Sequence, residues 1–186
     1  MRHTHRILPL AITLLCMASA PLAAQEKRAG VIGELLADLE DVSGKLVGLA
    51  EAIPADKYAW KPAEGVRSTS EVFMHVAADN YLIPAAAGIA APAATGVTAE
   101  YSTAVAFEGR KLERDATIAE LKTSLEHLKQ AIAATKDTDL EREVQFFGQP
   151  ATMRKVWILA TGHLHEHLGQ MIAYSRASGI VPPWSR

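Results

Sequence analysis

The sequence predicts an all-α protein, an up-down four-helix bundle behind an N-terminal signal peptide. Three observations carry that prediction. Apolar residues recur at steps of three and four through long stretches of the chain. No convincing set of alternating strands stands out. The first residues read as a leader rather than as part of a core. With 186 residues, about half of them hydrophobic, the chain suits one globular domain with a buried interior.

The leader comes first. MRHTHR is a short basic start, ILPLAITLLCMASAPLAA is an apolar run ending in small residues, and QEKRAG turns polar. This is the pattern of a secretory signal peptide, with cleavage expected after Ala24. Residues 1–24 are therefore assigned to the signal and residues 25–186 to the bundle. An uncleaved anchor is the rival reading, because the run nearly spans a bilayer. Pro9, Pro21 and the small-residue end favour cleavage, and Leu15 before Cys16 argues against a lipoprotein. The expected location is periplasmic or secreted, with no stable membrane association once the signal is gone.

Cys16 is the only cysteine and would leave with the signal, so the mature chain offers no disulfide, thiol nucleophile or thiolate ligand. Removing Arg2 and Arg6 takes the basic residues from 19 to 17 against 21 acidic ones, a net charge of −4. No basic block remains, so nucleic acid is not an expected partner.

The first helix is expected from Gly30 to Ile53, where Ile32, Leu35, Leu39, Val42, Leu46, Leu49 and Ile53 form one stripe and Pro54 stops it. Ser68 and Glu71 form a capping box, which starts a second helix near Thr69. Its seam runs Val72, His75, Asp79, Leu82, and Pro84 bends or finishes it. The Ala-, Gly- and Pro-rich stretch that follows lacks a clean period and reads as a long connection with room for a short helix. Asp115 is the expected cap of a third helix carrying Ile118, Leu121, Leu125, Leu128 and Ile132. REVQFFGQPATM reads as a small turn or strand pair. The fourth helix runs from about Thr152 to Ser178 and is closed by Gly179, Pro182 and Pro183.

The seams differ in kind. Those of the first and third helices are apolar. The fourth continues as Val156, Ala160, His163, His167, Gln170, Tyr174 and Ala177, and the second includes His75 and Asp79. Polar groups in a core stripe are costly unless satisfied, and a metal ion satisfies several imidazoles at once. At about 100° per residue, His163 and His167 in GHLHEHLGQ lie about 40° apart, whereas His165 points away. A strand would put all three on one face, but the flanking residues extend the helical stripe. The zinc-peptidase pattern HExxH is absent, because Gly169 stands where its second histidine is needed. A bundle core is where such sites are built from facing helices. The competing reading is of buried histidines bonded to backbone carbonyls. Asp79 could orient an imidazole, serve as a fourth ligand, or be a solvated acid. Gln170 and Tyr174 read as packing groups able to bond water or substrate. Gly169 reads as a close helix contact, His127 as a surface residue, and Trp60 and Trp184 as cover for a bundle end.

These residues resemble a known family. LAEAIPADKYAWKPAEGVRSTSEVFMHVAADN looks like the first loop and second helix of the DinB-like superfamily, and HLHEHLGQMIAYSRASGIVPPW looks like its last helix. The resemblance covers nearly all the mature chain. It implies a metal triad of one histidine from the second helix and an H-x3-H pair from the last, here His75, His163 and His167. It further implies a divalent ion, commonly zinc or nickel, with open positions for water or substrate. Some members are thiol S-transferases, others metal-dependent hydrolases. Members often dimerise, so a homodimer is the partner state implied. Where members often have HHRGQ, this chain reads EHLGQ: Glu166 replaces a histidine and Leu168 an arginine. That departure, together with export, weakens the thiol-transferase reading more than the metal reading. Two functions follow: a metal-dependent hydrolase or transferase acting on a small-molecule substrate, or a non-catalytic metal-binding or interaction module of the same fold.

Overall fold

A computed structural model of the protein describes residues 30–185. The expected signal peptide lies outside them. The described chain forms α1 (Val31–Ala52), α2 (Thr69–Ala86), α3 (Tyr101–Glu108), α4 (Arg114–Ala134) and α5 (Met153–Ala177), with a hairpin of β1 (Glu143–Phe146) and β2 (Gln149–Thr152). Among these residues no helix is long and apolar enough to cross a membrane.

Local chemistry explains most boundaries. At α2, the Ser68 hydroxyl accepts from the Glu71 amide and the Glu71 carboxylate accepts from the Ser68 amide, which completes the capping box. Thr152 caps α5 by accepting from the Lys155 amide. The start of α1 is capped from far along the chain. Asp137 accepts from the amides of Val31 and Ile32 at 3.1 and 2.9 Å. Gly30 permits that approach: a Cβ there would lie 1.7 Å from Asp137 Oδ2, and its φ of 89° suits glycine. Pro84 does not stop α2, which runs two residues further.

The start of α4 differs from expectation. Glu113 occupies the cap position without a side-chain bond, and Asp115 lies inside the first turn. Arg114 explains the earlier start, because its guanidinium donates to the carbonyls of Ile53 and Glu51 and so closes the end of α1. Asp115 still helps as a negative charge in a first turn. The REVQFFGQPATM segment is the antiparallel hairpin, with Phe147 and Gly148 both at positive φ in its two-residue turn.

The bundle does not alternate up and down. Ser70 meets Thr117 and Asn80 meets Ser124, so α2 and α4 run parallel. Asp38 meets His165 and Gly48 meets Pro183, so α1 and α5 also run parallel. Lys129–Glu40 and Lys122–Glu51 make α1 and α4 antiparallel. Tyr174 reaches Arg67 while His163 reaches His75, so α5 opposes α2. The order is therefore up, down, down, up, with α1 diagonal to α2. The long connection is the physical reason. After the 18 residues of α2, about 27 Å of helix, the chain must return to the end where α2 began before α4 can start. Residues 87–113 make that return, and α3 forms within it.

The main core contains the apolar stripe of α1, with Leu39, Val42, Leu46 and Leu49 at 1% exposure or less, and the fully buried Trp157, whose indole donates to Thr135. A second cluster joins Met74, Ala77, Ala78, Tyr81 and Leu82 of α2 to Ala104 and Phe107 of α3. It fixes α3 against the bundle. Trp60 packs edge-on to Tyr174 as cover for the bundle end, whereas Trp184 keeps 42% of its surface exposed. Gly169 is exposed and touches no neighbouring helix, so it does not serve a close contact. Ala177, the last residue of the expected α5 seam, is also exposed, although Tyr174 and Ser175 before it are buried and Ile180 after it packs on the core.

Candidate metal centre

α2 and α5 pack against each other, and their polar seam residues meet in the middle of the contact. The Nε2 atom of His163 lies 3.2 Å from Nε2 of His75 and 3.0 Å from Nε2 of His167. Asp79 Oδ2 lies 3.1 Å from His163 Nε2 and 3.6 Å from His75 Nε2. All three histidines are largely buried. The far nitrogens decide the chemistry. His75 Nδ1 donates to Glu108 Oε2 at 3.0 Å, and His167 Nδ1 donates to Gln170 Oε1 at 2.8 Å. With hydrogen on Nδ1, both rings present a bare lone pair at Nε2. A single hydrogen on His163 Nε2 can serve only one of the acceptors around it.

Three convergent nitrogens with surplus lone pairs suit a cation. Zinc–imidazole bonds of about 2.0–2.1 Å in a tetrahedron put nitrogens about 3.3 Å apart, close to the separations here. The bonds from Nδ1 to a carboxylate and to an amide are the usual support of metal-ligating histidines. Burial holds the His167 pKa below its ordinary value, against the opposing effect of the Gln170 bond, so the ring stays neutral. The three histidines together are thus placed to hold a metal ion. His163 Nδ1 is buried without a partner.

The other sequence candidates separate clearly. His165 is exposed and paired with Asp38 of α1 at 3.0 Å, on the face away from the cluster. Asp79 belongs to the cluster's edge. Gln170 and Tyr174 do more than pack: the Gln170 amide donates to the Tyr174 hydroxyl, which donates to the Arg67 carbonyl. His127 is not a surface residue. It is half-buried against the ring of Tyr81, which α2 brings over α4, and its Nε2 is buried without a partner. Burial lowers its pKa. Sequence reasoning missed Glu108 and Arg67. Glu108 lies in a segment without a clean period, and Arg67 precedes a helix cap; neither position carries a local signal.

Comparison with known proteins agrees with the fold. Residues 38–171 match the model of the DinB superfamily. A DinB-like protein from Bacillus cereus superposes with a TM-score of 0.67 at 18% identity, covering 82% of this chain and 95% of that one. One from Bacillus subtilis gives 0.61 at 23% identity, covering 82% and 98%. A mutant of a mycothiol-dependent maleylpyruvate isomerase gives 0.61 at 14% identity, covering 75% of this chain and 60% of that one. A search of curated proteins finds no match. The chain belongs to the DinB superfamily.

Proposed function

We propose that this is an exported protein that binds one divalent metal ion, zinc or nickel, through His75, His163 and His167. In this reading it acts as a metal-dependent hydrolase or transferase on a small molecule in the periplasm or outside the cell. The observation that carries the reading is the convergence of three Nε2 atoms, two of them on rings whose hydrogens are engaged on the opposite side. When bound, such an ion supplies Lewis-acid polarisation to a group brought against it. The protein residues hold the rings neutral and oriented, and α2 and α5 shield the site from bulk water. The similarity to a mycothiol-dependent isomerase, at 14% identity, supports the fold and not a particular reaction.

One observation favours a second reading. The Asp79 carboxylate sits beside the nitrogens and could close the shell, leaving a non-catalytic metal-binding module. Cobalt-loaded protein separates the two: a visible spectrum that shifts with added azide marks an open position, and an unchanged spectrum marks a closed one.

The founding test is metal content by mass spectrometry of residues 25–186 beside His163→Ala. About one equivalent in the parent and little in a folded variant is expected. A parent that is empty and takes up neither zinc nor nickel would sink the metal reading.

A further inference from the structure

Two ligand histidines from different helices are supported by partners that meet at one residue. From His75 the path runs to Glu108 of α3, whose carboxylate accepts from the Arg67 guanidinium at Nε and at Nη2, the latter 3.4 Å away. From His167 it runs to Gln170, then Tyr174, whose hydroxyl donates to the Arg67 backbone carbonyl at 3.1 Å. Arg67 thus donates to one path through its side chain and accepts from the other through its carbonyl, and each group between it and the two rings is a hydrogen-bond partner of the next. Neither path needs a water. α3 reaches this place because Ala104 and Phe107 are buried against α2, which turns Glu108 toward His75.

Resting on the metal reading above, we propose that Glu108 and Arg67 are positioning residues of the centre. Glu108 fixes the tautomer and ring plane of His75. Arg67 holds Glu108 in place with its side chain, and with its carbonyl it anchors the Tyr174–Gln170 pair behind His167. The return segment is therefore part of the metal site even though it supplies no ligand. The physical basis is general: a carboxylate on the far nitrogen raises the basicity of a ligating imidazole and prevents its rotation. A second consequence is that metal and α3 stabilise each other, since an interaction that favours one bound arrangement is reciprocal.

The test is zinc affinity by competition with a chromophoric chelator, together with the visible spectrum of the cobalt form. It compares the parent with Glu108→Ala, Glu108→Gln, Arg67→Ala and the Glu108→Ala/Arg67→Ala double variant. Glu108→Ala is expected to weaken zinc about 10- to 100-fold and alter the cobalt spectrum. Glu108→Gln keeps an acceptor for Nδ1–H and should recover part of the loss, which a merely structural role would not produce. Arg67→Ala should lose less than Glu108→Ala, and the double variant no more than Glu108→Ala alone. A parent that binds zinc while both alanine variants bind equally well overturns the proposal and leaves the metal reading standing. A parent that binds no zinc removes the metal reading and this proposal with it. Should Glu108→Ala fail to fold by far-UV circular dichroism, Glu108→Gln and Arg67→Ala decide: parental affinity in both overturns the proposal.

Discussion

Replacing His127 with leucine should stabilise the protein. His127 lies on α4 with its ring centroid 5.3 Å from that of Tyr81, and its Nε2 atom is buried without a hydrogen-bond partner. A buried unsatisfied polar atom costs about 1–3 kcal/mol. Against its removal stands the loss of an aromatic contact worth about 0.5–1.5 kcal/mol. Leucine also gains a few tenths, roughly, in helix propensity. The net is a gain of about 1 kcal/mol at neutral pH, or roughly 2–4 °C in Tm for a chain of this size. Acid should widen the gap. Burial lowers the His127 pKa, so the folded state resists protonation and the unfolded state does not. Stability tied to the neutral ring is whole above the unfolded value of about 6.5 and falls as pH drops from there through the folded value. The leucine variant lacks this loss. Urea unfolding followed by circular dichroism at pH 7.5 and 5.5, with chelator present to remove any metal contribution, checks both parts. A variant less stable than the parent at both values would refute the reasoning, and a gap that narrows in acid would refute its electrostatic half.

Other outcomes follow from the same structure. Ser68→Ala should cost about 1 kcal/mol, because it removes the cap of α2. The Ser68 amide, then Lys111, hold Glu71 down to about 2, so its contribution is present above the ordinary carboxylate range and lost as pH falls toward 2. Glu71→Gln should accordingly flatten the acid limb of the urea midpoint against pH. Asp137→Ala should cost about 1–2 kcal/mol and speed amide hydrogen exchange at Val31 and Ile32, whose donors it strands. Chelation should leave far-UV dichroism largely helical, since the stripes of α1 and α4 are buried without any ion; complete unfolding would contradict this. His165→Ala should leave metal content at the parental level, because its ring faces Asp38 and not the cluster.

The helices were legible because periodic burial is written locally. The α1 stripe and the Ser68–Glu71 box each lie within a few residues of what they control. The histidine cluster was legible for a related reason: histidines in a stripe otherwise apolar mark the face that looks inward, and two such stripes can meet only if their helices do. What escaped depends on distance along the chain. The parallel pairing of α2 and α4 follows from where residues 87–113 travel, and no local pattern encodes that path. The early start of α4 follows from Arg114 reaching α1. Glu108 and Arg67 matter through partners 33 and 41 positions away, and His127 was misplaced because the ring that covers it, Tyr81, comes from α2, far along the chain.

The up, down, down, up order also shapes the electrostatics of the bundle's ends. With α2 and α4 side by side in the same sense, their positive N-termini share one half of an end, and the negative C-termini of α1 and α5 share the other half. Glu71 and Asp115, in the first turns of α2 and α4, fall on the positive half, where a carboxylate is favoured. The axial dipoles of the four helices oppose one another two against two, so little net moment runs along the bundle. Each end nevertheless carries a field directed across it, reversed at the other end. A charged group arriving at either end therefore meets a surface with a left and a right.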